Sequence, residues 1–412
     1  MDEIYIVGAG MTPFGRHMAL SVKALAREAI DKALGDGGVS ADRIEAAFFG
    51  NAVQGYMEGQ HSIRGEVALR AMGIAGIPVV NVENACATGS TAFSLAATHL
   101  LAGQGDLVLA VGAEKMYSDD RERMFSIFDG GWDVETPEAN LASLMRLGEG
   151  VDVPPGTTTD RPYSVFMDVY AAWARQRMRM FGVTQRQIAA IAAKNHQHSV
   201  HNPLSQFQRP FTVDEVLAGA AIAYPFTVPM CSPVSDGAAA VLLASESGMK
   251  RLGLDRSRAI RVLASVIQTG TDRDADDVTR HVGALAARRA YERAGVAPGE
   301  IDVAEVHDAT AVGELIQVEN LGLCEFGEGG VLAERGETTL GGRIPVNPSG
   351  GLESKGHPIG ATGIAQLCEL VTQLRGEAGA RQVEGARLAI AENGGGVHGV
   401  EEAVAAVTLL SR

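Results

Sequence analysis

The chain has 412 residues, of which 46% are hydrophobic and 21% are charged, and its net charge at pH 7 is −15. This length exceeds what one hydrophobic core usually supports, so we expect two or three domains. The acidic balance argues against nucleic-acid binding, which needs a basic face, and we expect no membrane span because no apolar run is long enough.

The composition also indicates a compartment. Four cysteines lie far apart, without a CxxC pair: Cys86, Cys231, Cys324 and Cys368. We interpret them as reduced thiols of a cytoplasmic protein, and not as a disulfide framework or a zinc site. The first residues are acidic and lead directly into an apolar β-branched run, which is unlike the layout of a signal peptide.

Short apolar or β-branched runs alternate along the chain with Ala- and Leu-rich stretches, which predicts an α/β protein. The predicted strands cover residues 4–7, 46–50, 78–82, 107–112, 302–307 and 387–391. The predicted helices cover residues 21–34, 88–102, 165–180, 283–294 and 360–374.

The second half of the chain repeats the first. The helical segment 23–29 and the following strand are echoed by 283–289 and its strand, and Cys86 before Gly-Ser-Thr-Ala is echoed by His357 before Gly-Ala-Thr-Gly. We therefore predict a duplicated α/β fold whose halves face each other, with both residues at helix starts near the pseudo-dyad.

Residues 117–230 do not follow this repeat. We predict that they form a large insertion in the first half, a lid or substrate-binding loop domain. The predicted domains are then an N-terminal half of 1–116 plus 231–255, the loop domain 117–230, and a C-terminal half of 256–412.

Cys86 is the first candidate for chemistry. A β-branched run ends at Asn-Ala-Cys-Ala-Thr-Gly-Ser, and small residues then open an apolar helix. Unpaired N–H groups and the positive end of a helix dipole favour the thiolate, the form that attacks carbonyl groups. The alternative is a small buried apolar cysteine.

His357 is the second candidate. It lies in Gly-His-Pro-Ile-Gly-Ala-Thr-Gly, where glycines let backbone approach a ligand and Pro358 restricts the turn. An imidazole placed there relays protons or donates a hydrogen bond to an oxyanion. A histidine satisfied within a loop is the alternative, but the Gly/Pro surroundings favour a function.

Several segments in a fixed order resemble the thiolase superfamily, and in particular the sterol-carrier-protein-type thiolases with their bacterial and archaeal relatives. They are the frame of Cys86, residues 194–207, Cys231 to Ala240, His307-Asp308-Ala309-Thr310, Gly322 to Cys324, and Gly356 to Gly363. The resemblance covers nearly the whole chain except about 117–165. It implies an α/β fold of five layers, the duplicated α-β-α-β-α thiolase fold, with an inserted loop domain.

The resemblance also implies roles for single residues. Cys86 would be the acylated nucleophile, and His357 would activate it and help to form the oxyanion hole for a thioester enolate. His307, in the first position of the branch's His-Asp-Cys-Phe motif, would hold a water molecule or the thioester oxygen. The backbone N–H groups of Cys86 and Gly394 would form a second oxyanion hole.

Two departures from the family pattern concern its second, acid/base cysteine. Ala309 and Glu392 stand at the two positions where relatives carry that cysteine. Glu392 replaces it if burial raises its pKa towards neutrality; the alternative is a solvated loop carboxylate. The histidines at 196, 198 and 201 resemble a metal cluster by spacing only, and we expect no metal.

Our leading hypothesis is an acyl-CoA C-acyltransferase that cleaves or forms a 3-oxoacyl-CoA, as in β-oxidation of lipids, with coenzyme A as substrate and no permanently bound cofactor. The resemblance implies a homodimer or a dimer of dimers.

A carbon–carbon lyase (retro-aldolase) of the same fold, acting on a CoA thioester with an OB-fold, zinc-ribbon partner protein, is the second hypothesis. Retention of Cys86 weighs against it, because aldol cleavage needs no acyl-enzyme. The third hypothesis is a non-catalytic CoA-binding subunit. The absence of cysteine at both accessory positions favours it, and the presence of Cys86, His307 and His357 argues against it.

Overall fold

The computed structural model describes residues 3–412, and these residues form one nine-stranded mixed sheet and fourteen α-helices. The strands are β1 (Ile4–Met11), β2 (Ala46–Gly50), β3 (Val79–Val82), β4 (Leu107–Glu114), β5 (Gly237–Ser245), β6 (Ile260–Thr269), β7 (Val303–Glu305), β8 (Leu388–Gly395) and β9 (Val404–Ser411). The helices are α1 (Val22–Gly37), α2 (Gln54–Glu58), α3 (Arg64–Arg70), α4 (Thr88–Leu101), α5 (Arg121–Ser126), α6 (Pro137–Arg146), α7 (Phe166–Phe181), α8 (Gln185–Ser199), α9 (Val213–Leu217), α10 (Glu246–Leu252), α11 (Val282–Ala294), α12 (Ala311–Asn320), α13 (Gly329–Glu334) and α14 (Thr362–Arg375).

The strand order β3-β2-β4-β5-β1-β6-β9-β8-β7 shows the duplication. In the first half β3, β2 and β4 are parallel, and β5 is antiparallel to both β4 and β1. In the second half β7 and β8 are parallel, and β9 is antiparallel to both β8 and β6. A short antiparallel pairing of β1 with β6 joins the two halves.

Five layers follow from the packing. Helix α1 covers one face of the first half, α11 covers the far face of the second, and α4 and α14 contact each other between the two. Both central helices are strongly apolar, with Phe93 of α4 and Ile364 of α14 fully buried in the shared core. Burial of such side chains stabilises the fold by about 1.5–3 kcal/mol each. The predicted duplicated five-layer α/β fold is confirmed.

Residues 117–230 carry helices α5 to α9 and none of the nine strands. Helices α7 and α8 contact α12 of the second half and share a hydrophobic core with it. The division of the chain at 116, 230 and 255 stays a prediction. Within residues 3–412, no helix combines the length and apolar character needed to cross a membrane.

Candidate active site

A cavity of about 1540 Å³ lies where the 117–230 segment meets the junction of the two halves. Cys86, His307, His357 and Gly394 all line it, so four of the five predicted site residues share one space. Glu392 is not among the lining residues.

Cys86 lies in a short 3₁₀ turn, Ala85–Ala87, between β3 and α4. Ala85 has φ +49°, a left-handed conformation that is costly for a residue with a Cβ atom. The hydroxyl of Thr88 holds the turn, because it donates to the Ala85 carbonyl at 2.6 Å and accepts from the Asn84 N–H at 2.8 Å. The turn presents the partly exposed Cys86 thiol to the cavity.

The strand behind this turn must carry glycine. A Cβ atom at Gly395 would lie 2.5 Å from the carbonyl oxygen of Asn84 and 2.7 Å from the backbone nitrogen of Ala87. Only a residue without a side chain lets β8 pass so close to the turn. The Gly-Gly-Gly run at the end of β8 therefore sets the position of Cys86.

His357 lies in the loop that leads into α14. Its Nδ1 is 2.7 Å from the Thr362 hydroxyl, and this hydroxyl donates its own proton to the Pro358 carbonyl. The hydroxyl must therefore accept from Nδ1–H, which leaves Nε2 unprotonated. His357 is arranged as a base.

His307 follows β7 and has the opposite arrangement. Its Nδ1 lies 2.8 Å from the amide nitrogen of Asn393. Ser90 donates to the amide oxygen of the same Asn393 at 3.0 Å, and the amide nitrogen faces His307. Because Nδ1 of His307 accepts, its proton lies on Nε2, and the ring is a hydrogen-bond donor towards the site.

The structure brings these three residues together. Cys86 Sγ and one nitrogen of each ring lie within 4.8 Å of one another. The two rings pack edge to face, with centroids 5.1 Å apart and an interplanar angle of 84°. Sulfur and imidazole nitrogen also bind metals, and the expectation of a metal-free site stays a prediction.

Burial determines the resting protonation states. It raises the pKa of the Cys86 thiol to about 12, helped by the charge of Glu83. It lowers the pKa of His307 to about 4, and it holds the pKa of His357 well below the usual range. These shifts all favour the neutral forms at pH 7. Burial thus opposes the thiolate that the helix dipole favours, and the protonation state of resting Cys86 stays a prediction.

Glu392 is neither a loop residue nor solvated. It lies in β8 with no exposed surface, so the alternative of a solvated loop carboxylate is wrong. Its Oε2 accepts from the backbone N–H of His307 at 3.2 Å, and among residues 3–412 its Oε1 has no hydrogen-bond partner. Burial and the charge of Glu402 hold its pKa well above the usual range. The acid/base role of Glu392 stays a prediction.

Two residues at the site were not identified from the sequence. Tyr170 of α7 and Glu402, just before β9, are both buried and both line the cavity. The sequence offered no signal for Tyr170 within an amphipathic helix. Glu402 lies in Val-Glu-Glu-Ala ten residues after Glu392, and only the return of β9 along β8 brings it back to the site.

The histidines of α8 have structural partners. His196 donates from Nε2 to the Pro229 carbonyl, and its Nδ1 lies 3.0 Å from the Ser354 hydroxyl. His198 has both ring nitrogens engaged with backbone groups of the second half. These contacts explain the two rings without a metal.

The fold and the Cys–His–His site define this chain as a protein of the thiolase class. Two family models match it: "Thiolase, N-terminal domain" over residues 4–219 and "Thiolase C-terminal domain-like" over residues 264–408. The chain belongs to the thiolase family.

Among curated relatives, sterol carrier protein 2 of Oryctolagus cuniculus is 39% identical over 402 residues, which are 95% of this chain and 70% of the relative. An acetyl-CoA acetyltransferase of Methanothermobacter thermautotrophicus is 37% identical over 415 residues, with both chains covered in full.

Solved structures show the same fold. An Ltp2–ChsH2(DUF35) aldolase superimposes with a TM-score of 0.77 at 22% identity, covering 99% of this chain and 97% of that one. The Acat5 thiolase from Ascaris suum in complex with coenzyme A gives a TM-score of 0.69 at 18% identity, with both chains covered in full.

Proposed function

We propose that this protein is an acyl-CoA C-acyltransferase that cleaves or forms a 3-oxoacyl-CoA through an acyl-enzyme on Cys86. The observation that supports it is the cluster of Cys86 Sγ and two imidazole nitrogens within 4.8 Å, open to one cavity. The full-length likeness to an acetyl-CoA acetyltransferase supports the same reaction class.

In the cleavage direction, the unprotonated Nε2 of His357 takes the thiol proton as sulfur attacks the 3-oxo carbon. The bond between C2 and C3 then breaks, and its electron pair forms the enolate of the shorter acyl-CoA. The Nε2–H groups of His307 and of the now protonated His357 donate to the enolate oxygen. The proton that His357 took from the thiol is returned to C2 of the enolate, which releases the shorter acyl-CoA and leaves His357 neutral. This use of both rings follows from their opposite tautomers.

The second half-reaction transfers the acyl group from Cys86 to the sulfur of coenzyme A. The tetrahedral intermediate needs donors for its oxyanion, and we propose the backbone N–H groups of Cys86 and Gly394. Gly394 lines the cavity on the strand that passes behind the Cys86 turn. Coenzyme A is a substrate in this scheme, and no permanent cofactor takes part.

The phosphates of coenzyme A need local cations, because the chain carries a net charge of −15. Four arginines line the cavity: Arg16, Arg121, Arg161 and Arg209. The guanidinium groups of Arg16 and Arg209 lie over the rings of Tyr117 and Phe211, at 4.5 and 4.8 Å from the centroids. We propose these arginines as contacts for the phosphates of coenzyme A. We also propose that the protein is a cytoplasmic homodimer or dimer of dimers.

A carbon–carbon lyase that works with an OB-fold, zinc-ribbon partner is a second candidate. The observation that favours it is the absence of cysteine at both accessory positions, where Ala309 and Glu392 stand. The similarity to the Ltp2–ChsH2(DUF35) aldolase is one of fold only. Cleavage of a 3-hydroxyacyl-CoA releases a ketone or aldehyde and requires no acylation of Cys86.

One experiment separates the two. The protein is incubated with a panel of 3-oxoacyl-CoAs and 3-hydroxyacyl-CoAs, and its intact mass is measured by rapid quench. We expect an acyl adduct with 3-oxo substrates that Cys86→Ala abolishes and that Cys324→Ala, a cysteine remote from the cavity, retains. An unmodified protein that releases a carbonyl product without free CoA would refute the acyltransferase and support the lyase.

A further inference from the structure

Glu402 is a second buried carboxyl group, and it lines the same cavity as Cys86. It is 5% exposed, it lines the cavity that holds Cys86 and both catalytic imidazoles, and it lies close enough to His307 and Glu392 to shift their pKa values. Neither position at which relatives carry an acid/base cysteine supplies such a group here. Ala309 has no ionisable side chain, and Glu392 does not line the cavity.

The carboxylate of Glu402 is held from two sides. Gln317 of α12 donates to its Oε1 at 3.0 Å, and Nε2 of His281 lies 3.0 Å from its Oε2. Nδ1 of His281 is occupied by the amide of Asn320 and the backbone N–H of Gly283, so the ring proton lies on Nε2, near Oε2 of Glu402 but without hydrogen-bond geometry to it.

These contacts favour the carboxylate form of Glu402. Burial by itself would raise its pKa, but the contact with His281 brings the pKa below the usual range. Glu392, without such a partner, has its pKa raised well above that range. Neighbouring carboxyl groups with pKa values moved in opposite directions are typical of an acid/base site.

Gly394 gives Glu402 its access to the site. A Cβ atom at this position would lie 3.0 Å from Cγ and 3.4 Å from Oε1 of Glu402, so a side chain here would press on the carboxylate. The same glycine is our proposed oxyanion donor, so Glu402 lies against a residue of the proposed site.

We propose that Glu402 is the catalytic acid/base that takes the place of the absent second cysteine, an inference that rests on the proposed function. In thiolysis, the carboxylate accepts the proton of the coenzyme A thiol as its sulfur bonds to the acyl carbon. The bond from that carbon to Cys86 sulfur breaks, and Glu402 returns the proton to the departing thiolate. In synthesis, the carboxylate removes the C2 proton of the second acyl-CoA.

Exchange of the C2 protons of propionyl-CoA in D₂O isolates this step, because it needs the base and the oxyanion hole but no acyl-enzyme. Deuterium uptake is followed by mass spectrometry in the wild type and in Cys86→Ala. We expect Glu402→Gln to slow exchange by about 10²–10⁴-fold, with unchanged affinity for coenzyme A and unchanged thermal midpoint. Glu402→Asp keeps the charge and should lose less.

Glu401→Gln is the matched control. Glu401 is equally buried but pairs with Arg273 at 2.6 Å and does not line the cavity, so this variant should lose stability and retain exchange per folded molecule. Three results would overturn the role of Glu402. Exchange could persist in Glu402→Gln, it could be lost in Glu392→Gln instead, or the wild type could show no exchange. If Cys86 is not acylated, the proposed acyltransferase function is wrong, and the exchange rates then test the role of Glu402 separately.

Discussion

Replacing His357 by asparagine should show how much of the reactivity of Cys86 the imidazole supplies. With a thiol pKa of about 12, roughly one molecule in 10⁵ is ionised at pH 7. Five pH units correspond to about 7 kcal/mol, at about 1.36 kcal/mol per unit. The wild type avoids this cost by transferring the proton to Nε2 of His357 during attack.

General-base catalysis contributes about 10²–10⁴-fold, so acylation of Cys86 in His357→Asn should fall by that factor at pH 7. Hydroxide must then remove the thiol proton, and the acylation rate of the variant should rise about tenfold per pH unit above pH 7. The wild-type rate should stay level, because the pKa of His357 lies well below 6.5.

Rapid quench with intact-mass detection measures acylation, and His398→Asn, a change at an exposed histidine outside the cavity, is the control. A His357→Asn variant that acylates at the wild-type rate at pH 7 would refute the assignment of the base. Alkylation of wild-type Cys86 by iodoacetamide with a midpoint below pH 8 would refute the neutral resting thiol.

Three further predictions concern stability. Burial raises the pKa of Glu114 from 4.5 to about 7. The folded state therefore binds this proton more tightly than the unfolded state, and it loses stability as pH rises through that range. The unfolding free energy of the wild type minus that of Glu114→Gln should fall by about 3 kcal/mol from pH 4.5 to 7.5, and a constant difference would contradict this. Gly395→Ala forces a Cβ atom against the Asn84 carbonyl. It should lower the free energy of unfolding in urea by about 1–3 kcal/mol and slow acylation of Cys86, and unchanged values of both would contradict this. Glu319→Ala leaves Arg177 buried and unpaired and should cost about 3–5 kcal/mol in the same assay, whereas a loss under 1 kcal/mol would show that water reaches the arginine.

Local composition sufficed to locate several helices. The helix predicted at 88–102 is α4, Thr88–Leu101, and the one predicted at 283–294 is α11, Val282–Ala294. The strands β5, β6 and β9 were not predicted. β5, for example, reads Gly-Ala-Ala-Ala-Val-Leu-Leu-Ala-Ser, and all nine residues are buried, so the strand lacks the alternation that identifies a half-exposed strand.

The sequence by itself predicted the duplicated fold from its internal repeat, and it predicted Cys86, His307 and His357 as site residues because short motifs of glycine, cysteine and histidine set local backbone geometry. It placed the acid/base role on Glu392 because that residue occupies a cysteine position in the chain. Only the tertiary structure shows that Glu402 lines the cavity and Glu392 does not, and that Cys86 is enclosed enough for burial to raise the pKa of its thiol. Protonation and access depend on desolvation and on groups such as His281 that are distant in sequence, and no local pattern encodes these.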